Sequence, residues 1–213
     1  MPGCLVVFEG PEGSGKTTQL RSIAAWLAGT HEVCVTREPG GTSVAEAIRG
    51  VVLAHRDEPR EPTTDAFLMN AARADVVRRV IRPALDRGRV VLSDRYAAST
   101  RAYQGAGDGV PDDWLQELER LATGGLLPDR YVLFDLDVEV GLARRRGDGD
   151  VNAMDQRALA FHRRVRDGYL AMAGGEPARW SVVDASAPPE AVQAVLRTVV
   201  ADVLRSLGMA VPT

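Results

Sequence analysis

The chain has 213 residues, 45% of them hydrophobic, with 26 Lys and Arg against 29 Asp and Glu, a formal net charge of −3 and a pI of about 5.7. That length and apolar share supply one full core, and the mild acidity argues against the basic face that a nucleic-acid partner needs. No apolar run reaches the roughly 18 residues of a membrane span, no basic segment leads into a long apolar one, and three His with two Cys leave little scope for structural zinc.

These numbers point to a soluble cytoplasmic protein with no membrane partner. Cys4 and Cys34, both in apolar runs, are expected as buried free thiols. The run Cys4–Phe8 reads as a buried parallel strand. It is followed by Gly10, Pro11, Glu12, Gly13, Ser14, Gly15, Lys16, Thr17 and Thr18, and then by a helical pattern with Leu20, Ile23, Ala24 and Leu27 on one face. Strand, Gly-rich loop and helix in that order form the setting of a phosphate-binding loop. Glycines allow a concave ring of inward N–H groups, and the helix N-terminus adds positive potential. The whole stretch from Gly10 to Thr18 is therefore expected to bind the phosphates of a nucleoside triphosphate, with Lys16 reaching the β- and γ-phosphates and the Thr17 hydroxyl ligating Mg²⁺.

A second strand is predicted over Glu32–Thr36, ending in the exposed loop Arg37–Thr42. Ligands of open α/β sheets bind at strand C-termini, which marks Arg37 and Glu38. A helix from Ser43 to about His55 and a surface connection over Arg56–Thr64 follow. A longer helix is expected over Asp65–Leu85, with Phe67, Ala71, Ala74 and Ile81 as core candidates and Pro83 as a kink or early stop. The strand Arg89–Ser93 closes on Asp94, either a carboxylate facing the Mg²⁺ region or an N-cap.

Ala97–Gly109 reads as a polar, Gly-rich segment. Pro111-Asp112-Asp113 opens a helix. The fourth strand is Tyr131–Leu136. A short helix then runs into Arg144–Asp150, read as a mobile lid whose three arginines either touch phosphate or form a solvated cluster. A helix over Asp155–Ala173, a strand over Trp180–Val183 and a last helix with Val192, Val195, Leu196, Val199 and Val203 at helical spacing complete the chain. There is no repeat and no linker. Alternating strands and helices predict a single α/β domain over residues 1–213, a five-stranded parallel sheet with helices on both faces and a lid over about residues 144–155.

Several separated stretches, in order, resemble the thymidylate kinase family. They are Phe8-Glu9-Gly10 with its loop, Thr36–Thr42, Ala71-Ala72-Arg73, Asp94-Arg95-Tyr96, Ala102–Gly105, Pro128-Asp129 and Val183-Asp184-Ala185. The loop has no basic residue at Pro11, Glu12 or Ser14, so the chain is similar to the bacterial subtype with catalytic arginines in the lid. The resemblance implies a P-loop nucleoside monophosphate kinase fold and transfer of the γ-phosphoryl of ATP to dTMP with Mg²⁺. It implies that Arg95 and Arg37 meet the acceptor phosphate, Glu12 the sugar 3′-hydroxyl, Arg73 a base carbonyl, and Thr100 and Gln104 the base. It also implies that Tyr103 fills the space of a ribose 2′-hydroxyl and that Asp94 orders Mg²⁺ directly or through water. The resemblance likewise implies that Lys16 and Arg144, Arg145 or Arg146 neutralise charge on the moving phosphoryl, and that a homodimer forms through helices.

Two positions depart from the family pattern. Met69 stands where a Phe usually stacks on thymine, and Asn152-Ala153-Met154-Asp155 replaces Asp-Arg-x-Glu. They leave open two alternatives: a kinase for dUMP or a 5-modified pyrimidine deoxynucleotide, and an ATP-binding protein without phosphoryl transfer.

Overall fold

A computed structural model describes residues 3–54, 60–147 and 157–212. Five strands, β1 (Cys4–Glu9), β2 (Val33–Arg37), β3 (Val90–Asp94), β4 (Arg130–Asp135) and β5 (Trp180–Asp184), form one sheet in the order β2-β3-β1-β4-β5. Every pairing is parallel. β1 lies in the middle: the crossover that follows it runs to β2 on one side and the later crossover from β3 runs past it to β4 on the other, so the loop after β1 opens at the crevice where such sheets bind ligands.

The helices are α1 (Lys16–Leu27), α2 (Ser43–Leu53), α3 (Pro62–Val76), α4 (Arg82–Asp86), α5 (Ala97–Thr100), α6 (Asp112–Thr123), α7 (Val138–Gly147), α8 (Leu159–Gly175) and α9 (Pro189–Ser206). Alternation along β1 divides the core. Cys4, Val6 and Phe8 pack toward Leu20 and Ile23 of α1 and Leu196 of α9, while Leu5 and Val7 face Val76, Tyr103 and Tyr169 on the other side. Phe8 and Phe134 meet edge to face at 5.6 Å between centroids. Two buried layers on one sheet account for its near-continuous apolar strands.

Four expectations change. Ala97–Gly109 is helical: α5 continues into a π-helical turn over Arg101–Gly107. Its glycines serve close packing rather than freedom, since a Cβ on Gly107 would lie 2.5 Å from the Phe161 ring and one on Gly105 2.9 Å from Leu115. The long helix starts at Pro62 and passes through a π turn, Val77–Ile81, into α4, and Pro83 sits in the first turn of α4, where its missing N–H costs little. Phe67 is 62% exposed and Ala71 is exposed, because α3 turns Asn70 and Arg73 inward instead. Cys34 is half-buried, while Cys4 is buried, its thiol pushed up to about 12 by burial. Helix α8 begins at Leu159, so the predicted start at Asp155 and the lid beyond Gly147 lie outside the described residues, as does His55.

Candidate active site

The loop from Gly10 to Gly15 reverses the chain between β1 and α1 through left-handed backbone at Gly13 (φ 71) and Gly15 (φ 82). It is pressed against α7: a Cβ on Gly13 would lie 2.0 Å from the Gly141 carbonyl oxygen, and one on Gly141 2.4 Å from that of Glu12. Inside the loop the Lys16 ammonium donates to the carbonyls of Gly10 (3.0 Å) and Pro11 (2.7 Å) and to Ser14 Oγ (3.1 Å). Burial, with repulsion from Arg95, lowers it to about 8. Lys16 thus holds the loop's shape, and its ammonium lies where phosphate oxygens can replace those carbonyls.

At the mouth of the loop Thr17 Oγ1 donates to Asp94 Oδ2 at 2.5 Å. A hydroxyl and a carboxylate side by side are hard oxygen donors of the kind Mg²⁺ takes. Among the described residues no three His, Cys, Asp or Glu side chains converge on a metal position. An ion here would draw its other ligands from phosphate and water, as Mg²⁺ commonly does.

Arg95 follows β3 with φ 74, the sole non-glycine positive φ among the described residues. The strained backbone is held by Arg95 N–H donating to Phe8 O and by Ser93 Oγ donating to Arg95 O. Its Nη2 donates to Glu12 Oε1 (2.8 Å) and Tyr103 Oη (3.2 Å). Its Nη1 donates to Gly10 O, Ser99 Oγ and Tyr169 Oη. Burial raises the Glu12 carboxyl, but the Arg95 and Lys16 charges and the Tyr103 hydroxyl outweigh it and leave it at about 2. Arg95 Nε–H has no hydrogen-bond partner among the described residues and is available to a ligand.

Arg73, 2% exposed, is fixed by Glu38 Oε2 (2.7 Å from Nε), Asn70 Oδ1 (2.8 Å from Nη1), and Tyr96 O and Thr100 Oγ1 (3.1 and 3.0 Å from Nη2). One Nη1 hydrogen is left over for a ligand. Burial raises Glu38 to about 7 against the pull of Arg73. Gln104, on the π-helical turn, is buried, with its Nε2 unpartnered among the described residues.

A cavity of about 480 Å³ joins these parts. Glu12, Gly13, Ser14, Gly15, Lys16, Thr17, Thr18 and Asp94 line one side. Arg37, Met69, Arg73, Arg95, Thr100, Tyr103 and Gln104 line the other, and Arg145 also reaches it. Gly10 and Pro11 do not line it and offer their carbonyls to Lys16. Of the three arginines at the end of α7, Arg144 donates to Ala185 O at 3.1 Å and Arg146 is exposed. Arg37 is paired with Glu46 at 3.0 Å. The structure bears out the marking of Glu38 as a cavity residue and adds lining residues that sequence reasoning missed, Arg49, Leu53 and Ser99 among them. Arg49 had a readable signal as a basic residue on a helix that follows a strand C-terminus, and Ser99 had none.

The sequence model of the family described as thymidylate kinase matches residues 8–196. The chain is 53% identical over 203 residues to the thymidylate kinase of Thermomicrobium roseum, covering 94% of this chain and 95% of that protein. It is 50% identical over 198 residues to that of Cereibacter sphaeroides (90% and 91%) and 47% identical over 201 residues to that of Deinococcus radiodurans (94% and 97%). A phosphate loop, a strand ending in Asp94, the Arg95 that follows it and a buried Arg73 line one cavity in a chain matched along nearly its whole length, and the chain belongs to the thymidylate kinase family.

Proposed function

We propose that the chain transfers the γ-phosphoryl of ATP to dTMP, giving ADP and dTDP. The observation that carries this reading is one cavity lined both by the phosphate loop and by the buried polar side chains of Arg73, Tyr103 and Gln104. Such a reaction needs alignment and charge neutralisation more than covalent chemistry. Lys16 and the loop N–H groups of Gly13 to Thr18 hold the β- and γ-phosphates, with Gly10 and Pro11 shaping the loop through their carbonyls on Lys16. Arg145, which already lines the cavity, meets the moving phosphoryl, with Arg144 and Arg146 beside it on α7. Arg95 and Arg37, with Arg49, receive the acceptor phosphate, where a planar guanidinium suits two oxygens.

Glu12 accepts from the sugar 3′-hydroxyl, and Tyr103, pinned by Glu12 and Arg95, occupies the room a 2′-hydroxyl needs. Arg73 gives its spare Nη1 hydrogen to a base carbonyl, Thr100 and Gln104 flank the base, and Met69 packs its thioether against the ring. Thr17 and Asp94 would hold Mg²⁺, which when bound neutralises charge across the transferring phosphates. The chain acts as one kinase domain with a lid over 144–155, in the cytoplasm where ATP is available. No described helix is long and apolar enough to cross a membrane. A homodimer is supported by exposed Phe67 on α3 and exposed Trp114 and Leu121 on the neighbouring α6.

The test is kcat/KM across dTMP, dUMP, dCMP and UMP with MgATP. dTMP should rank first and dUMP next. dCMP should be far behind, because its 4-amino group faces a donor, and a mispaired buried polar group costs about 1–3 kcal/mol. UMP should suffer from Tyr103. If dCMP or UMP equals dTMP, the roles of Arg73 and Tyr103 are wrong.

A further inference from the structure

Glu9, at the end of β1, is fully buried and does not line the cavity, yet it is a carboxylate in the middle of the core side of the site. Its Oε1 accepts from Tyr96 N–H at 2.8 Å, and its Oε2 accepts from Ser99 Oγ (2.7 Å) and Tyr169 Oη (2.9 Å). The same two hydroxyl oxygens each accept from Arg95 Nη1 at 3.1 Å. A hydroxyl has one hydrogen to give and lone pairs to receive with. Ser99 Oγ and Tyr169 Oη also lie 2.8 Å apart, so each has the other as a second acceptor; the Glu9 charge draws their hydrogens to itself, which turns their lone pairs toward Arg95.

We infer that Glu9 is the positioning residue for Arg95, acting through Ser99 and Tyr169 to aim the guanidinium at the acceptor phosphate. The inference rests on the proposed role of Arg95. One further contact serves the same purpose. Tyr96 N–H, held by Glu9, belongs to the residue directly after the left-handed Arg95, so the carboxylate also pins the strained turn. Arg95 makes no hydrogen bond to Glu9 itself; its Nη2 donates to Glu12 and Tyr103, which line the cavity, and its Nε–H keeps no partner among the described residues. Burial raises the Glu9 carboxyl, while the Arg95 charge and the hydrogen bonds from Ser99, Tyr169 and Tyr96 pull the other way. A carboxylate with three donors around it and a guanidinium one hydroxyl away serves as the counter-charge behind Arg95.

Glu9→Gln is the decisive variant because it keeps the shape and reverses the signal. With its carbonyl still on Tyr96 N–H, the amide NH₂ donates to Ser99 and Tyr169, and their hydrogens swing toward Arg95. Calorimetric titration of parent, Glu9→Gln and Arg95→Ala with dTMP and with thymidine separates positioning from general damage, since thymidine has no phosphate for Arg95. Glu9→Gln should weaken dTMP by about tenfold or more, the scale of a charge-assisted hydrogen bond, while thymidine and the KM for ATP stay near parent values.

Equal weakening of dTMP and thymidine, or no weakening of dTMP, overturns the inference. If Arg95→Ala leaves the dTMP-to-thymidine ratio unchanged, the role of Arg95 itself is wrong. If that variant loses the ratio and Glu9→Gln keeps it, only the role of Glu9 falls. Should Glu9→Gln not fold, Tyr169→Phe and Ser99→Ala each remove one relay and must show the same dTMP-selective loss, smaller in size. Parent-like dTMP affinity in both overturns the inference.

Discussion

Replacing Arg73 by Met removes a guanidinium from a site that is almost fully enclosed. Four hydrogen bonds disappear, to Glu38, Asn70, Tyr96 O and Thr100, and the Glu38 carboxylate is left buried without its partner at 2.7 Å. Breaking one side of a buried ion pair costs about 3–5 kcal/mol. At roughly 2–4 °C per kcal/mol for a chain of this size, Tm should drop by about 6–20 °C. Glu38→Leu in the same chain removes the stranded charge, and a pair replaced by apolar groups is often close to neutral. The double variant Arg73→Met/Glu38→Leu should therefore recover most of the loss in stability while still failing to discriminate dTMP from dCMP. Urea unfolding followed by circular dichroism, with the m-value checked for constancy, reads both variants. A single variant that loses less than about 1 kcal/mol, the worth of an exposed pair, would refute the reading of Arg73–Glu38 as a buried pair.

Arg145→Ala should lower kcat by about 10³–10⁵, the range of a phosphoryl-transfer arginine, with Arg144→Ala and Arg146→Ala much milder at saturating substrates; equal effects at all three would mean that lining the cavity is irrelevant. Lys16 works as the cation, and its lowered value of about 8 in the free protein means that kcat/KM for ATP should fall as pH rises above 8. kcat should persist to higher pH, because bound phosphate favours the ammonium, and a profile of kcat/KM flat to pH 10 contradicts this. Gly13→Ala drives a Cβ to 2.0 Å from Gly141 O at a φ of 71, so ATP affinity by equilibrium titration should fall at least about tenfold if the loop must stay seated on α7.

Strands and the phosphate loop were legible because their signals are local. An apolar run followed by glycines, Lys16 and Thr17 needs no distant partner to be read. The Ala97–Gly107 helix was not legible, because its glycines look like loop residues until Phe161 and Leu115 are seen against them. Phe67 misled for the opposite reason: α3 places Arg73 and Asn70 inward, and what stabilises those polar groups is contributed by Glu38, Tyr96 and Thr100 from elsewhere in the chain. Nor could sequence choose among Arg144, Arg145 and Arg146. Consecutive helical residues point about 100° apart, and only the packing of α7 against Glu12 and Gly13 determines which of them faces the cavity. The relay from Glu9 through Ser99 and Tyr169 spans 160 residues of chain and has no local signature.

Phosphoryl transfer to dTMP is tested most directly by incubating the parent and the Lys16→Ala variant with MgATP and dTMP and following both products by ³¹P NMR. The parent should give ADP and dTDP in equal amounts, and Lys16→Ala should give neither at a comparable rate while unfolding at close to the parent temperature. ADP formed without dTDP, or dTDP formed at the parent rate by Lys16→Ala, would contradict a phosphate loop that delivers the γ-phosphoryl of ATP to dTMP.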